Sequence, residues 1–180
     1  MTAPYQKYLK EILIDADVLQ TRVTELGQQI SQDYSSVNDL LLICILKGGV
    51  MFLSDLSRNI SPPHEIDFMA ASSYGRGARA SSGNVRIDMD IMASVTNRNI
   101  LIVEDIVDTG LSIQFIKNML KNYKPASVKI ASLLVKPESL KYKTKIDYIG
   151  FEIPNKFVIG YGLDYAQKFR NLNSIYALSE

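Results

Sequence analysis

Asn99-Ile-Leu-Ile-Val-Glu-Asp-Ile-Val-Asp-Thr-Gly-Leu-Ser112 is an apolar run that stops in three carboxylates and a glycine. From Ile100 to Val103 every residue is β-branched or Leu with no alternation, the pattern of a strand buried on both faces of a parallel sheet. Beyond Ser112 the apolar residues Ile113, Ile116 and Leu120, flanked by Met119, recur at helical spacing. The pattern predicts strand, turn and helix, with Glu104 to Ser112 as the turn at the strand's carboxyl end. Open α/β sheets bind their ligands at that edge.

The residues of this turn carry chemistry. Glu104 and Asp105 are adjacent and Asp108 follows closely, a crowding of negative charge that suits a ligand rich in hydroxyls or bound magnesium. Asp108-Thr-Gly-Leu-Ser112 opens the helix with a glycine and two hydroxyl side chains, where free backbone N–H groups and the helix dipole favour a phosphate. A plain helix cap by Asp or Ser is the structural alternative for any one of these residues, and it does not account for all three acids.

Outward from this centre the same arrangement recurs. Asp39 to Leu46 is a second apolar run, ending in Lys47-Gly48-Gly49 before a helical stretch from Val50 to Ile60; on the tripeptide alone it reads as an ordinary glycine turn. Ile12 to Ile14 predicts a short strand, then a helix capped by Asp15 or Asp17 with Leu19, Val23, Leu26 and Ile30 on its apolar face. Gly27 weakens that helix by roughly 1 kcal/mol without ending it. After Pro62-Pro63, Ile66 to Ala71 predicts a strand, and the sole histidine, His64, reads as a surface or turn residue. Ser72 to Asn84 is rich in Gly and Ser, a hairpin loop with Val85 to Met89 as its return strand. Gly75-x-Gly77 lacks the third glycine of a dinucleotide fingerprint. Further strands are expected at Val128 to Val135, closing in Lys136, at Ile146 to Phe151, and at Ile175 to Leu178. Lys141, Lys143 and Lys145 read as a solvated face.

With 180 residues, 47% hydrophobic and 22% charged, the chain suffices for one domain with a full core. Residues 1–180 are therefore expected to form a single domain with a small appendage. A net charge of +1 excludes a general nucleic-acid binder, which needs clustered excess Lys and Arg. The one cysteine, Cys44, lies inside an apolar run and reads as buried and inert. Met1 to Tyr5 lacks the basic start and apolar core of a signal peptide, and no apolar run approaches membrane-spanning length, so a cytoplasmic protein is expected.

Val103-Glu-Asp-Ile-Val-Asp-Thr-Gly-Leu-Ser112 resembles the phosphoribosyl-pyrophosphate signature of the type I phosphoribosyltransferases, and its surroundings resemble the hypoxanthine-guanine branch of that family, from about the first helix to the C-terminus. The resemblance implies an α/β fold of the type I phosphoribosyltransferase kind: an open, mostly parallel sheet flanked by helices, a flexible lid hairpin, and a small cap, or hood, built from part of the N-terminus and about residues 152–180. It implies magnesium-assisted transfer of ribose 5-phosphate from 5-phosphoribosyl 1-pyrophosphate to N9 of a 6-oxopurine, in homodimers or homotetramers, with no nucleic-acid or membrane partner.

By the same resemblance Glu104 and Asp105 meet the ribose hydroxyls, and Asp108, Thr109, Gly110, Leu111 and Ser112 hold the 5-phosphate. Asp108 serves as general base at the purine N7. Lys47, Gly48, Ser73, Tyr74 and Arg170 bind pyrophosphate, and the peptide before Lys47 is implied to be cis. Lys136, Phe157, Val158 and Asp164 surround the purine, with Lys136 donating to the 6-oxygen and Phe157 stacking. Asp164, Glu104 and Asp105 are the implied metal contacts. Leu111 stands where some relatives carry a lysine, and Asn155 replaces a frequent Asp. Two alternatives share the fold: a xanthine- or guanine-preferring enzyme, and a non-catalytic regulator that senses phosphoribosyl pyrophosphate. The regulator is disfavoured because Asp108, Lys136 and near-neutral charge are all kept.

Overall fold

In the computed structural model of the chain, residues 9–73 and 85–178 are described. The expected lid tip, with Tyr74, lies outside them, as does the side chain of Ser73. The elements are β1 (Leu9–Ile14), α1 (Ala16–Asp33), β2 (Leu40–Leu46), α2 (Val50–Arg58), β3 (His64–Ser73), β4 (Val85–Met89), β5 (Asn99–Val107), α3 (Leu111–Lys121), β6 (Ser127–Val135), β7 (Tyr148–Glu152), β8 (Val158–Ile159) and β9 (Ile175–Leu178).

Six strands form the main sheet in the order β4-β3-β2-β5-β6-β7, parallel throughout except for β4, which returns antiparallel to β3. The unbroken apolar runs predict this, since a strand covered on both faces has no solvent side to mark. Leu40, Leu42 and Cys44 pack with the buried faces of α1 and α2, whereas Leu41, Ile43 and Ile45 pack with Ile113, Ile116 and Leu120 of α3. Each fully buried Leu or Ile contributes roughly 1.5–3 kcal/mol. β2 leads through α2 to β3 on one side of the sheet, and β5 leads through α3 to β6 on the other. Strand order therefore reverses between β2 and β5, and the crevice at their carboxyl ends is where such sheets bind ligands.

Asp15 caps α1, its Oδ1 accepting from the Asp17 N–H at 3.1 Å. Leu19, Val23, Leu26 and Ile30 are all fully buried, as the 3.6-residue period predicts. Gly27 has a packing reason: a Cβ there would stand 2.4 Å from Asn59 Cβ, so glycine lets α1 meet the end of α2.

Several boundaries differ from expectation, β1 starting at Leu9 instead of Ile12 and β7 at Tyr148 instead of Ile146. α2 ends at Arg58, where Asn59 and Ile60 tighten into turns. β3 begins at His64, whose ring hydrogen-bonds Ser57 Oγ at 2.9 Å and the Pro62 carbonyl at 2.8 Å. That histidine opens the strand and is fastened to α2, so of the two expected places, surface or turn, it is not in the turn. The largest change is in β5, which runs through Glu104 and Asp105 to Val107. Its pairing with β2 stops at Cys44–Val103, while its pairing with β6 continues through Glu104–Ser132 to Val107–Val135. The acidic pair belongs to a strand with one neighbour missing, and not to the turn.

A second, antiparallel sheet, β1-β9-β8, joins the N-terminal strand to the C-terminal segment. Among the described residues no helix is long and apolar enough to cross a membrane.

Candidate active site

β5 ends at Val107, and Asp108 to Gly110 turn the chain into α3. Gly110 adopts φ +83°, and a Cβ on it would stand 2.9 Å from the Tyr142 carbonyl oxygen, so only glycine fits without strain. Gly110 at the N-cap offers no side chain, and the Leu111 N–H donates to Thr109 Oγ1 at 3.4 Å. The loop encloses a cavity of about 110 Å³ lined by residues that include Glu104, Asp108, Thr109, Gly110, Leu111 and Ser112. Backbone N–H groups at a helix start whose N-cap is a glycine, beside a small hollow, suit an anion. The Thr109 carbonyl accepts from the N–H groups of Lys141 and Tyr142, both at 3.1 Å, which anchors the loop from behind. The sequence pattern carried no sign of that anchor.

Beside the loop, Lys136 follows the last residue of β6. It is buried, and its Nζ lies 3.0 Å from Asp108 Oδ2, a carboxylate whose side chain is about half exposed. An acceptor and a cationic donor thus stand side by side at the mouth of this hollow.

Among the described residues no cation is bonded to Glu104 or Asp105. Glu104 Oε2 is buried without a hydrogen-bond partner, and burial, with Asp105 adding repulsion, holds its carboxyl well above the usual range. Burial likewise pushes Asp105 up to about 6, against the lowering effect of the Ile106 and Asp105 N–H groups and of Arg170. Asp105 is seated against the β2–α2 turn, where a Cβ on Gly48 would stand 1.6 Å from Asp105 Oδ2. The peptide between Leu46 and Lys47 is cis, and Lys47 is exposed while Gly48 and Gly49 are buried. Beneath them Cys44 is fully buried, and burial pushes its thiol up to about 12.

The hood closes over this turn. Gly162, at φ +100°, lies so close that a Cβ there would stand 2.0 Å from the Gly48 carbonyl oxygen. Arg170 donates to the Gly162 carbonyl at 2.7 Å and pairs with Asp164 at 2.8 Å, so these two predicted residues come together. Val158 is buried in β8, paired with Ala177. Phe157 is half exposed, and its ring meets Tyr165 edge-on with centroids 5.9 Å apart. Tyr165 was not singled out from the sequence, although an aromatic beside Asp164 in a glycine-punctuated segment was the available signal. Asn155 is exposed.

Among the described residues no three His, Cys, Asp or Glu side chains converge on one point. Glu104 and Asp105 are one adjacent pair, and Asp164, bonded to Arg170, stands near enough to Asp105 for its charge to help raise that carboxyl.

The sequence matches the phosphoribosyl transferase domain over residues 14–166. It is 44% identical over 176 residues to a hypoxanthine-guanine phosphoribosyltransferase of Mycobacterium tuberculosis, covering 95% of this chain and 87% of that one. With the corresponding enzyme of Streptococcus thermophilus it shares 42% identity over 175 residues, covering 97% and 96%. A crystal structure of a hypoxanthine phosphoribosyltransferase from Staphylococcus aureus superposes with a TM-score of 0.93 at 40% identity, covering 99% of this chain and 96% of that one. This likeness along nearly the whole chain, on a sheet whose switch-point crevice holds the acidic strand pair and the lysine–aspartate couple, shows that the protein belongs to the phosphoribosyltransferase family, in its hypoxanthine-guanine branch.

Proposed function

We propose that this single-domain protein salvages purines, transferring the 5-phosphoribosyl group of 5-phosphoribosyl 1-pyrophosphate to N9 of hypoxanthine or guanine and releasing pyrophosphate. The observation that carries the reading is the Lys136–Asp108 couple at the mouth of the α3 anion loop. A 6-oxopurine offers an acceptor at O6 beside N7–H, the complement of an ammonium beside a carboxylate. On entry the base would exchange the ion pair for two bonds of its own, O6 accepting from Lys136 and N7–H donating to Asp108. As N9 bonds C1′ and the C1′–O bond to pyrophosphate breaks, the N7 proton passes to Asp108. Phe157 would stack on the ring and Val158 would meet its edge.

The N–H groups and hydroxyls of residues 108–112 would hold the 5-phosphate, and Glu104 and Asp105 would accept from the ribose hydroxyls. This reading gives the orphaned Glu104 Oε2 a donor and offsets the desolvation of both acids with hydrogen bonds. Lys47, the N–H of Gly48, Arg170 and the lid residues Ser73 and Tyr74 would take pyrophosphate. An acidic pair short of positive charge also suits magnesium, which uses one or two carboxylates and completes its shell with substrate oxygens and water. Glu104 and Asp105 would hold one such ion and Asp164, on the pyrophosphate side, a second, and magnesium there would supply charge neutralisation for the leaving group.

A homodimer or homotetramer and a cytoplasmic location go with this proposal. The solitary buried Cys44 supports the location, and light scattering tests the assembly. The decisive assay incubates the protein with 5-phosphoribosyl 1-pyrophosphate, magnesium and hypoxanthine, guanine, xanthine or adenine in turn. Formation of the hypoxanthine or guanine nucleotide is expected; exclusive use of xanthine or adenine, or no product with any base, overturns the reading.

A further inference from the structure

We propose that Tyr165 is a positioning residue for the purine-stacking ring, setting the plane of Phe157 from the loop that also carries Asp164 and Arg170. The inference rests on the reading of Phe157 given above and extends it to a residue with no assigned role. Phe157 is half exposed just before β8, so its backbone is held by the small sheet while its ring is free to turn about χ1 and χ2. The ring contact found for it is with Tyr165, at 5.9 Å between centroids and 89° between planes. That perpendicular arrangement is the one the ring quadrupoles favour, and it fixes an angle that mere hydrophobic contact would leave loose.

Tyr165 is itself held from several directions. Its N–H donates to the Lys168 carbonyl and its carbonyl accepts from the Lys168 N–H, both at 3.1 Å. Asp164, one residue earlier, accepts from the Gln167 N–H at 2.7 Å and from Arg170 at 2.8 Å. Ala166, Gln167 and Phe169 take left-handed φ values of 50°, 65° and 75°, conformations that non-glycine residues adopt only when surrounding bonds enforce them. A half-exposed tyrosine on so constrained a loop is poorly explained by core packing. It is well explained as a fixed wall against which Phe157 is aligned. The same loop presents Arg170 toward the turn at Gly48, through the Gly162 carbonyl, so one rigid piece of chain orients both ends of the site.

The test uses the full-length enzyme and compares Tyr165→Ala, Tyr165→Phe, Phe157→Ala and the double alanine variant. Tyr165→Ala is expected to raise KM for hypoxanthine by about 3- to 10-fold, the worth of one aromatic pair, with kcat and KM for 5-phosphoribosyl 1-pyrophosphate changed less than about twofold. Tyr165→Phe should restore the wild-type KM, because the ring and not the hydroxyl makes the contact. In the Phe157→Ala background the Tyr165→Ala change should add nothing. An independent readout is available because the chain has no tryptophan: Phe157→Trp creates a single reporter, whose fluorescence anisotropy should fall when Tyr165→Ala is added. Additive KM effects in the double variant, or an unaltered anisotropy, overturn the role of Tyr165 while leaving the stacking role of Phe157 standing. A normal purine KM in Phe157→Ala alone overturns the stacking reading itself.

Discussion

Lys136 Nζ lies 3.0 Å from Asp108 Oδ2, so the two groups assigned to the purine's 6-oxo edge satisfy each other when no base separates them. The carboxylate is about half exposed while the lysine is buried, which makes Asp108 the partner with room to move. Asp108→Asn keeps a hydrogen-bond acceptor for Lys136 but removes the basic site. The variant should fold with an unchanged Tm and bind the product nucleotide nearly as well, while kcat falls by about 10²- to 10⁴-fold. Unaltered turnover would remove Asp108 from proton transfer.

Lys136 should select against adenine. An ammonium has donors only, so it faces another donor at a 6-amino group, and a buried mismatch of that kind can reject the wrong base by about 10⁴-fold. Lys136→Met is expected to weaken hypoxanthine use by roughly 1.5 to 3 kcal/mol and to narrow the hypoxanthine-to-adenine ratio of kcat/KM. If that ratio stays put, selection lies in the backbone around Val158.

Two glycines that touch the same turn should respond differently to alanine. At Gly48 the new Cβ would displace the Asp105 carboxylate, the mobile end of a side chain, so the fold survives and the sugar site shifts. Gly48→Ala should lower kcat/KM for 5-phosphoribosyl 1-pyrophosphate by about 10²-fold, the usual effect of an ångström-scale misplacement, with Tm little changed. At Gly162 the Cβ would meet the backbone oxygen of Gly48 at 2.0 Å with φ at +100°, so the chain itself must move. Gly162→Ala should cost at least about 1–3 kcal/mol of stability, read as a drop in the urea midpoint. Equal Tm losses in the two variants would refute the distinction.

Much of this was legible in the residues. The apolar runs without alternation marked β2 and β5 as doubly covered, and helical spacing marked the buried faces of α1 and α3. The strand–turn boundary at Glu104 was not legible, because a carboxylate normally ends a buried strand and nothing local reveals that β6 continues where β2 stops. Gly48 read as a generic turn glycine, since its actual constraint is a side chain 57 positions away. The hood was legible only by resemblance. Ala166, Gln167 and Phe169 are left-handed without being glycine, so no residue type announces that loop, and the partnership of Tyr165 with Phe157 went unseen with it.

At the opposite edge of the sheet, Asp33 Oδ2 accepts from Tyr148 Oη at 2.6 Å and from Lys129 Nζ at 3.0 Å, and these bonds hold its carboxyl below the usual range. A carboxylate so lowered takes up its proton less readily in the folded chain than in the unfolded one. Its contribution is therefore complete at neutral pH and fades as pH falls from about 4 through the lowered value. Asp33→Asn should cost about 1 kcal/mol at neutral pH, since the site is partly exposed, and the gap to wild type should close in acid. Urea midpoints measured near neutrality and at about pH 3 check this; a gap that persists in acid would mean the bonds do not depend on the charge.

Cys44 lies fully buried under the Gly48–Gly49 turn, with its thiol pushed up to about 12. Only the thiolate reacts with alkylating reagents, so in the closed sheet this sulfur is silent on two counts, lack of access and lack of charge. Because it is the one cysteine in the chain, any iodoacetamide adduct reports a single event, the parting of the turn from the strands beneath it. The labelling rate is thus a clock for opening at the floor of the crevice, and it should slow when 5-phosphoribosyl 1-pyrophosphate is added, in proportion to how firmly the substrate clamps that floor shut.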